Sequence, residues 1–250
     1  MEVYELKSVL NIAHRGASGY CPENTMAAFK RSMELGATAI ETDVQMTADG
    51  HLVLIHDELL KRTTGSPKAV KDVTLEELQQ LDAGSWFDPA FREEYIPTLR
   101  ELFELVKPSS LQINLELKNG VVLYPGLEEA VMEEINRFGM SDRVIISSFN
   151  HYSLVKCKQL APEIRTGILY MEGLYEAWEY ASRIGANALH AYRFAVTPEW
   201  VAKAAEKEIA YHPFTVNDPE EMRRLLDAGV SGIITDYPDR LAELLKVAEV

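Results

Sequence analysis

Three short stretches of the chain gather groups that can move protons or hold ions. The first, His14-Arg15-Gly16, ends an apolar run. An imidazole placed there can shuttle protons and a guanidinium can hold an oxyanion. The second, Glu41-Thr42-Asp43, lies inside an otherwise apolar run. Strand alternation puts Glu41 and Asp43 on one face and Thr42 on the other. Two carboxylates facing inward on a buried strand repel one another and are costly to ionise. A divalent cation offsets both penalties; the ordinary alternative is a salt bridge to Arg or Lys. The third, Glu116-Leu117-Lys118, again puts two charged groups on one face of an apolar run. A third carboxylate completes an oxygen-rich site that suits Mg2+ or Ca2+ better than Zn2+. Lys118 beside it can neutralise a phosphate oxygen.

A second histidine comes from a predicted hairpin. The strand through Met46 turns at Asp49-Gly50 and returns as His51–Asp57. Asp-Gly favours a two-residue type I′ turn. With that loop Ala48 pairs with His51, and Asp43 falls opposite His56, on the same face. A one-residue slip sends His56 to the other face. Two histidines with unperturbed pKa values near 6.5 form a natural acid–base pair at neutral pH. His51, His151, His190 and His212 read as turn, helix-start or satisfied core positions, and Pro22-Glu23-Asn24-Thr25 reads as helix-capping chemistry.

These groups need a scaffold that collects strand ends. Eight apolar runs are predicted as strands: Val9–Ala13, Ala39–Val44, Leu111–Leu117, Val144–Ser148, Arg165–Leu169, Ala188–Ala191, Ile209–Val216 and Gly232–Thr235. Amphipathic patterns lie between them, clearest at Glu23–Leu35, Gly126–Phe138, Pro198–Lys207, Pro219–Ala228 and Pro238–Ala248. Eight strand–helix units predict a (β/α)8 TIM barrel rather than an open doubly wound sheet. Small-residue joints recur at Leu35-Gly36-Ala37, Ile184-Gly185-Ala186 and Ala228-Gly229-Val230, where glycine can end a helix in the left-handed region. About residues 47–97 break the alternation, which predicts a small subdomain inserted after the second strand within one domain spanning 1–250. Trp86, Phe87 and Phe91 in it read chiefly as packing, and otherwise as a greasy channel.

The 250 residues suit one barrel, and 47% apolar content supports a sizeable core. A net charge of −14 argues against extended nucleic-acid binding. Cys21 and Cys157 form no CxxC pair and read as free thiols of a reducing compartment. Met1–Lys7 reads as leaderless, and no run approaches the length of a membrane span. The expectation is a cytoplasmic protein with no integral membrane segment.

Taken together, His14-Arg15-Gly16, Pro22-Glu23-Asn24-Thr25, Glu41-x-Asp43, Asp49-Gly50, His56-Asp57, Glu116-x-Lys118 and Thr215-Val216-Asn217 resemble the glycerophosphodiester phosphodiesterase family. The resemblance runs in order over most of the chain. It implies a (β/α)8 barrel with an insertion after the second strand, one divalent cation on Glu41, Asp43 and Glu116, and an acid–base pair of His14 and His56. It further implies a phosphate gripped by Arg15 and Lys118, and hydrolysis of a small-molecule glycerophosphodiester to sn-glycerol 3-phosphate and an alcohol. It leaves room for a homodimer. Phe214 stands where the family often has Trp, keeping an apolar wall for the glycerol and losing the indole N–H; Cys21 replaces a residue that tends to be small. Other enzymes could use the same site, namely a lysophospholipase D or a cyclic-phosphate-forming phospholipase. A non-catalytic phosphate-binding module is disfavoured because every carboxylate and histidine is present.

Overall fold

The computed structural model describes residues 9–248, so the reading of Met1–Lys7 lies outside the described residues. In chain order the elements are β1 (Leu10–His14), α1 (Met26–Glu34), β2 (Ala39–Met46), β3 (Leu52–Leu54), α2 (Lys61–Thr64), α3 (Leu75–Gln79), α4 (Leu99–Val106), β4 (Gln112–Leu117), α5 (Leu127–Phe138), β5 (Val144–Ser148), α6 (His151–Leu160), β6 (Arg165–Tyr170), α7 (Ala177–Ile184), β7 (Ala188–Ala191), α8 (Pro198–Glu206), β8 (Ala210–Tyr211), α9 (Pro219–Asp227), β9 (Gly232–Thr235) and α10 (Pro238–Ala248). Eight strands run parallel in the order β8-β7-β6-β5-β4-β2-β1-β9, and β3 pairs antiparallel with β2. Backbone bonds link the two ends: Ser231 N–H donates to Tyr211 O at 3.0 Å, and Ile234 N–H to Pro213 O at 3.0 Å. The result is a nearly closed (β/α)8 barrel.

The strands are buried along most of their length because helices cover them outside and side chains fill them inside. Leu99, Leu102, Phe103 and Val106 of α4, for example, pack with Ile113 and Leu115 of β4 in the main core. Gly36, Gly185 and Gly229 all have positive φ, as the recurrent helix-to-strand joints predict. α1 starts at Met26, later than its pattern, because the Thr25 hydroxyl accepts the Ala28 N–H as an N-cap. The strand predicted over Ile209–Val216 is regular only at Ala210–Tyr211. Pro213 carries no N–H and interrupts the ladder, which resumes at the Tyr192–Phe214 bridge. The segment between β2 and α4 has its own apolar cluster, which includes Val53, Ile55, Leu60, Val70, Leu78 and Ile96.

The hairpin register differs from the sequence expectation by one residue. Val44 pairs with Leu54 and Met46 with Leu52, so Asp43 faces Ile55 rather than His56. The loop holds three residues, Ala48-Asp49-Gly50, with Gly50 at φ +84°. Thr47 N–H donates to His51 O at 3.0 Å, and Gly50 N–H to Thr47 O at 3.0 Å. The inserted segment selects this loop. Ala48 N–H donates to Val73 O at 2.8 Å, and the Asp49 carboxylate accepts from the Thr47 hydroxyl and the Leu75 N–H.

Inside the barrel, His190 and His212 pair ring to ring, with Nε2 of one 3.2 Å from Nδ1 of the other. A Cβ at Gly167 would lie 2.6 Å from His190 Nε2, so glycine makes the room. Burial, helped by the Arg165 charge, pushes His212 down to about 4. Burial, with His212 beside it, likewise lowers His190. A histidine held neutral in the fold binds its proton more readily when unfolded. Its contribution is therefore complete above the unfolded value near 6.5 and is lost as pH falls toward 4. We expect acidification across that window to cost on the order of 3 kcal/mol through His212. Urea unfolding of the parent and of a His190→Gln/His212→Gln variant at pH 7.5 and 4.5 checks it: the parent should lose more stability between the two pH values.

Candidate active site

β1, β2 and β4 carry most of the predicted chemical groups in or just after their strands. The parallel register sets His14 beside Glu41 and Asp43 beside Glu116. Arg15 follows at φ +53°, in the left-handed region, and Gly16 at φ +80°. A Cβ on Gly16 would lie 2.6 Å from the Ala28 carbonyl carbon, so the turn rests directly on α1. This backbone turns the Arg15 N–H onto Glu41 Oε2 at 2.9 Å. The guanidinium donates to Glu23 at 2.9 Å and approaches Asp43 Oδ2 at 3.3 Å.

Ligand oxygens of Glu41, Asp43 and Glu116 all lie within 4.8 Å of one another. Glu41 and Asp43 are buried and Glu116 nearly so. Asn24 Nδ2 donates to Asp43 Oδ2 at 2.8 Å, and Lys118 Nζ donates to Glu116 Oε1 at 2.8 Å. The other Asp43 oxygen is buried without a hydrogen-bond partner; Lys118 Nζ is 3.8 Å away. Burial, then the charges of Asp43 and Glu116, raises Glu41 well above the carboxylate range. Burial and Asp43 push Glu116 up to about 7 against the pull of Lys118. Burial also acts on Asp43, but Arg15, His56 and Lys118 outweigh it, so Asp43 keeps the charge. At an effective dielectric near 20, two charges 4.8 Å apart repel by roughly 3 kcal/mol. That exceeds the net worth of a typical hydrogen bond, about 1 kcal/mol. Glu41 and Glu116 therefore hold their protons to higher pH than ordinary carboxyls, and a dication is the group that would displace them.

His14 and His56 each have a carboxylate on Nδ1. His14 Nδ1 lies 2.6 Å from Asp236 Oδ1, which also accepts from Ser18; Asn217 holds the other oxygen at 2.6 Å. Burial pushes Asp236 up, but these partners outweigh it and hold it down to about 2. His56 Nδ1 lies 2.8 Å from Asp57 Oδ1. Hydrogen bonds from Arg62 and His56 hold Asp57 down to about 2. In both rings the Nδ1 proton goes to a carboxylate, leaving Nε2 to exchange protons. His56 reaches the cluster despite the shifted register because the chain leaves the strand after Leu54 and bends. There burial depresses its imidazole; Asp43 opposes this, while Arg15 and Lys118 add to it.

Phe214 packs against the apolar barrel interior formed by Ile12, Ala39 and Ile234. Its ring meets Phe149 and Tyr192 edge-on at 6.1 Å each, and Tyr192 meets Phe194 at 5.4 Å. This aromatic line borders the mouth on the side of β5, β7 and β8. Trp86 and Phe91 each meet the Phe87 ring edge-on at 5.8 Å, and Arg62 lies 5.8 Å over the Trp86 ring. Sequence reasoning missed Asp236, although a carboxylate directly after the last barrel strand is a signal for a site residue. It also missed Arg62, which bridges Glu23 and Asp57 and ties the Arg15 side of the mouth to the His56 side. No spacing rule joins residues so far apart.

Three carboxylates, two cations and two braced histidines at the open end of a parallel barrel define a (β/α)8-barrel hydrolase. Residues 14–240 match the Glycerophosphoryl diester phosphodiesterase family, and the chain belongs to that family. It is 51% identical over 237 residues to a glycerophosphodiester phosphodiesterase of Caldanaerobacter subterraneus, covering 95% of this chain and 98% of that one. It is 36% identical to a glycerophosphodiester phosphodiesterase of Bacillus subtilis, covering 95% and 87%. Among solved structures, it resembles an Oleispira antarctica phosphodiesterase in complex with the product sn-glycerol-3-phosphate. That match has a TM-score of 0.89 and 32% identity, and covers 94% of this chain and 96% of the other.

The carboxylate cluster sets a stability trade-off. A carboxyl raised to about 7 in the fold destabilises the ionised folded state as pH rises from 4.5 through 7. In chelator at pH 8, Glu116→Gln should therefore raise stability by about 1–3 kcal/mol, measured by urea unfolding. Added Mg2+ should stabilise the parent by about 2.7 kcal/mol at one hundred times its Kd, and the variant by less.

Proposed function

We propose that the protein hydrolyses glycerophosphodiesters to sn-glycerol 3-phosphate and a free alcohol, using one divalent cation, Mg2+ or Ca2+. The observation that carries this reading is the cluster of Glu41, Asp43 and Glu116 within 4.8 Å, flanked by Arg15 and Lys118. The residues fit the ion: all three donors are oxygens, and one Asp43 oxygen is buried with no hydrogen-bond partner. Such donor sets favour Mg2+ or Ca2+. When bound there, the cation would polarise a nonbridging phosphate oxygen as a Lewis acid.

The chain's own residues do the rest. Arg15 and Lys118 hold the remaining phosphate charge as it grows in the transition state. His14 Nε2 accepts the proton of the attacking hydroxyl, either water or the glycerol 2-hydroxyl, as oxygen bonds to phosphorus. Asp236 on Nδ1 keeps that ring in the accepting tautomer and stabilises the imidazolium. The bond from phosphorus to the alcohol oxygen breaks, and His56 Nε2 gives that oxygen a proton. Burial, and then Arg15 and Lys118, depress His56 in the free protein; the incoming anionic diester offsets the two cations and so favours the protonated ring. After attack by the 2-hydroxyl, water opens the cyclic phosphate in the reverse sense. Phe214 supplies an apolar wall for the glycerol. The buried, unpaired Cys21 and Cys157 are in keeping with a cytoplasmic setting. Among the described residues no helix is long and apolar enough to cross a membrane.

The test is turnover of glycerophosphocholine, glycerophosphoethanolamine and a lysophospholipid, each with and without chelator. EDTA should abolish activity and Mg2+ or Ca2+ restore it; full turnover in exhaustively chelated protein would refute the metal assignment. The aromatic line from Phe149 to Phe194 is the feature that favours lysophospholipid, and a preference for it would make the enzyme a lysophospholipase D. Each of His14→Ala and His56→Ala should lower the rate by roughly 10²–10⁴. A nitrophenyl ester of glycerol phosphate needs no proton on departure, so it should restore much of the rate of His56→Ala and little of that of His14→Ala. The opposite pattern would exchange their roles.

A further inference from the structure

Gln45 follows Asp43 on the same face of β2 and is fully buried. Its carboxamide nitrogen lies 3.0 Å from the carbonyl oxygen of Ile55, 3.1 Å from that of His56 and 2.9 Å from that of Asp57. Two N–H groups thus serve three consecutive carbonyls, one hydrogen being shared. Its oxygen accepts the Tyr124 hydroxyl at 2.7 Å, and Tyr124 is also buried. The amide orientation follows from its surroundings, because only nitrogen can face three carbonyls and only oxygen can face a hydroxyl proton.

The contact sits where the sheet stops. Ile55 N–H donates to Asp43 O at 3.0 Å, the last ladder bond of the hairpin. Continued alternation in the observed register would send residue 56 to the face opposite Asp43. Gln45 instead gathers the three carbonyls of the bend that carries His56. Glu has no donor when ionised, Asn is one carbon shorter, Lys cannot accept the Tyr124 hydroxyl, and Met or Leu would leave the three carbonyls without this donor. We infer that Gln45 is the positioning residue for His56, with Tyr124 setting the orientation of its amide. Gln45 touches no reacting atom, and the inference rests on the acid role of His56 only for its leaving-group signature.

The experiment is a double-mutant cycle on the full chain, with glycerophosphoethanolamine and the nitrophenyl ester as substrates. Gln45→Met keeps the volume and removes the donor. It should lower kcat on glycerophosphoethanolamine about 10–100-fold, as a misplaced catalytic group does. KM and Mg2+ affinity by titration calorimetry should stay within about threefold of the parent, as expected when transition-state contacts alone are lost. Tyr124→Phe, a milder change that keeps the clamp itself, should show the same pattern with a several-fold loss. In a His56→Ala background neither substitution should cost further activity, because both act through that ring. Losses that add in that background, an equal loss on both substrates while His56→Ala is restored by nitrophenol, or no loss at all would each overturn the inference. If His56→Ala is not restored by the nitrophenol leaving group, the acid role fails. The cycle would still decide Gln45, since additivity does not depend on which proton His56 moves. Should Gln45→Met fold poorly, Tyr124→Phe carries the same comparison.

Discussion

Like-charge repulsion among Glu41, Asp43 and Glu116 is the constraint to which the rest of the mouth responds. Adjacent parallel strands bring the three groups together with no freedom to swing apart, since Asp43 and Glu116 are direct neighbours in the β2–β4 ladder. Water screens them little, because Glu41 and Asp43 are buried and Glu116 is only slightly exposed. The protein answers with two cations, an amide and a backbone N–H. Arg15 lies against Asp43 and Glu23, Lys118 against Glu116, Asn24 against Asp43, and the Arg15 N–H against Glu41. Even so, one Asp43 oxygen is left without a hydrogen bond. The cluster is balanced for a further positive charge rather than for rest.

That balance has a backbone cost. Arg15 and Asn24 both adopt left-handed φ, a conformation disfavoured for side chains other than glycine. Asn24 N–H donates to Arg15 O at 3.0 Å, so the two positions support one another. What is gained is direction: one strained residue aims a peptide N–H at Glu41, and the other an amide at Asp43. The strain lies in the β1–α1 loop, while the ladders of β1 and β2 remain regular.

The segment between β2 and α4 belongs to the same electrostatic system. Through Arg62 it joins Asp57 to Glu23, and through Glu23 it joins Arg15. Asp57, Arg62, Glu23, Arg15 and Asp43 thus form an open chain of alternating charge that begins beside His56 and runs around one side of the mouth. On the other side, Asp236 braces His14 and is itself held by Asn217 and Ser18. Both rings are fixed through Nδ1, but by unlike means: one by a carboxylate distant in sequence, the other by its immediate neighbour.

The sequence by itself determined which strands exist and which of their residues face inward. The apolar runs are long and glycine-punctuated, and side-chain alternation within a strand is a local property. Glu41 and Asp43, or Glu116 and Lys118, could therefore be assigned to one face before any contact was known, and the eightfold alternation specified the barrel. Tertiary structure decided the rest, because it depends on groups far apart along the chain. Asp-Gly alone favours a two-residue turn, but Val73 O and Leu75 N–H engage Ala48 and Asp49 and hold a three-residue loop, shifting the hairpin by one. His56 comes close enough to Asp43 for their charges to act on one another only because the chain bends after the last ladder pair. Asp236 finds His14 across 222 residues because β1 and β9 are ladder neighbours. Local periodicity specifies a face, whereas the partner across that face is chosen by the lowest-energy satisfaction of buried charges and carbonyls, which becomes defined only when the barrel closes.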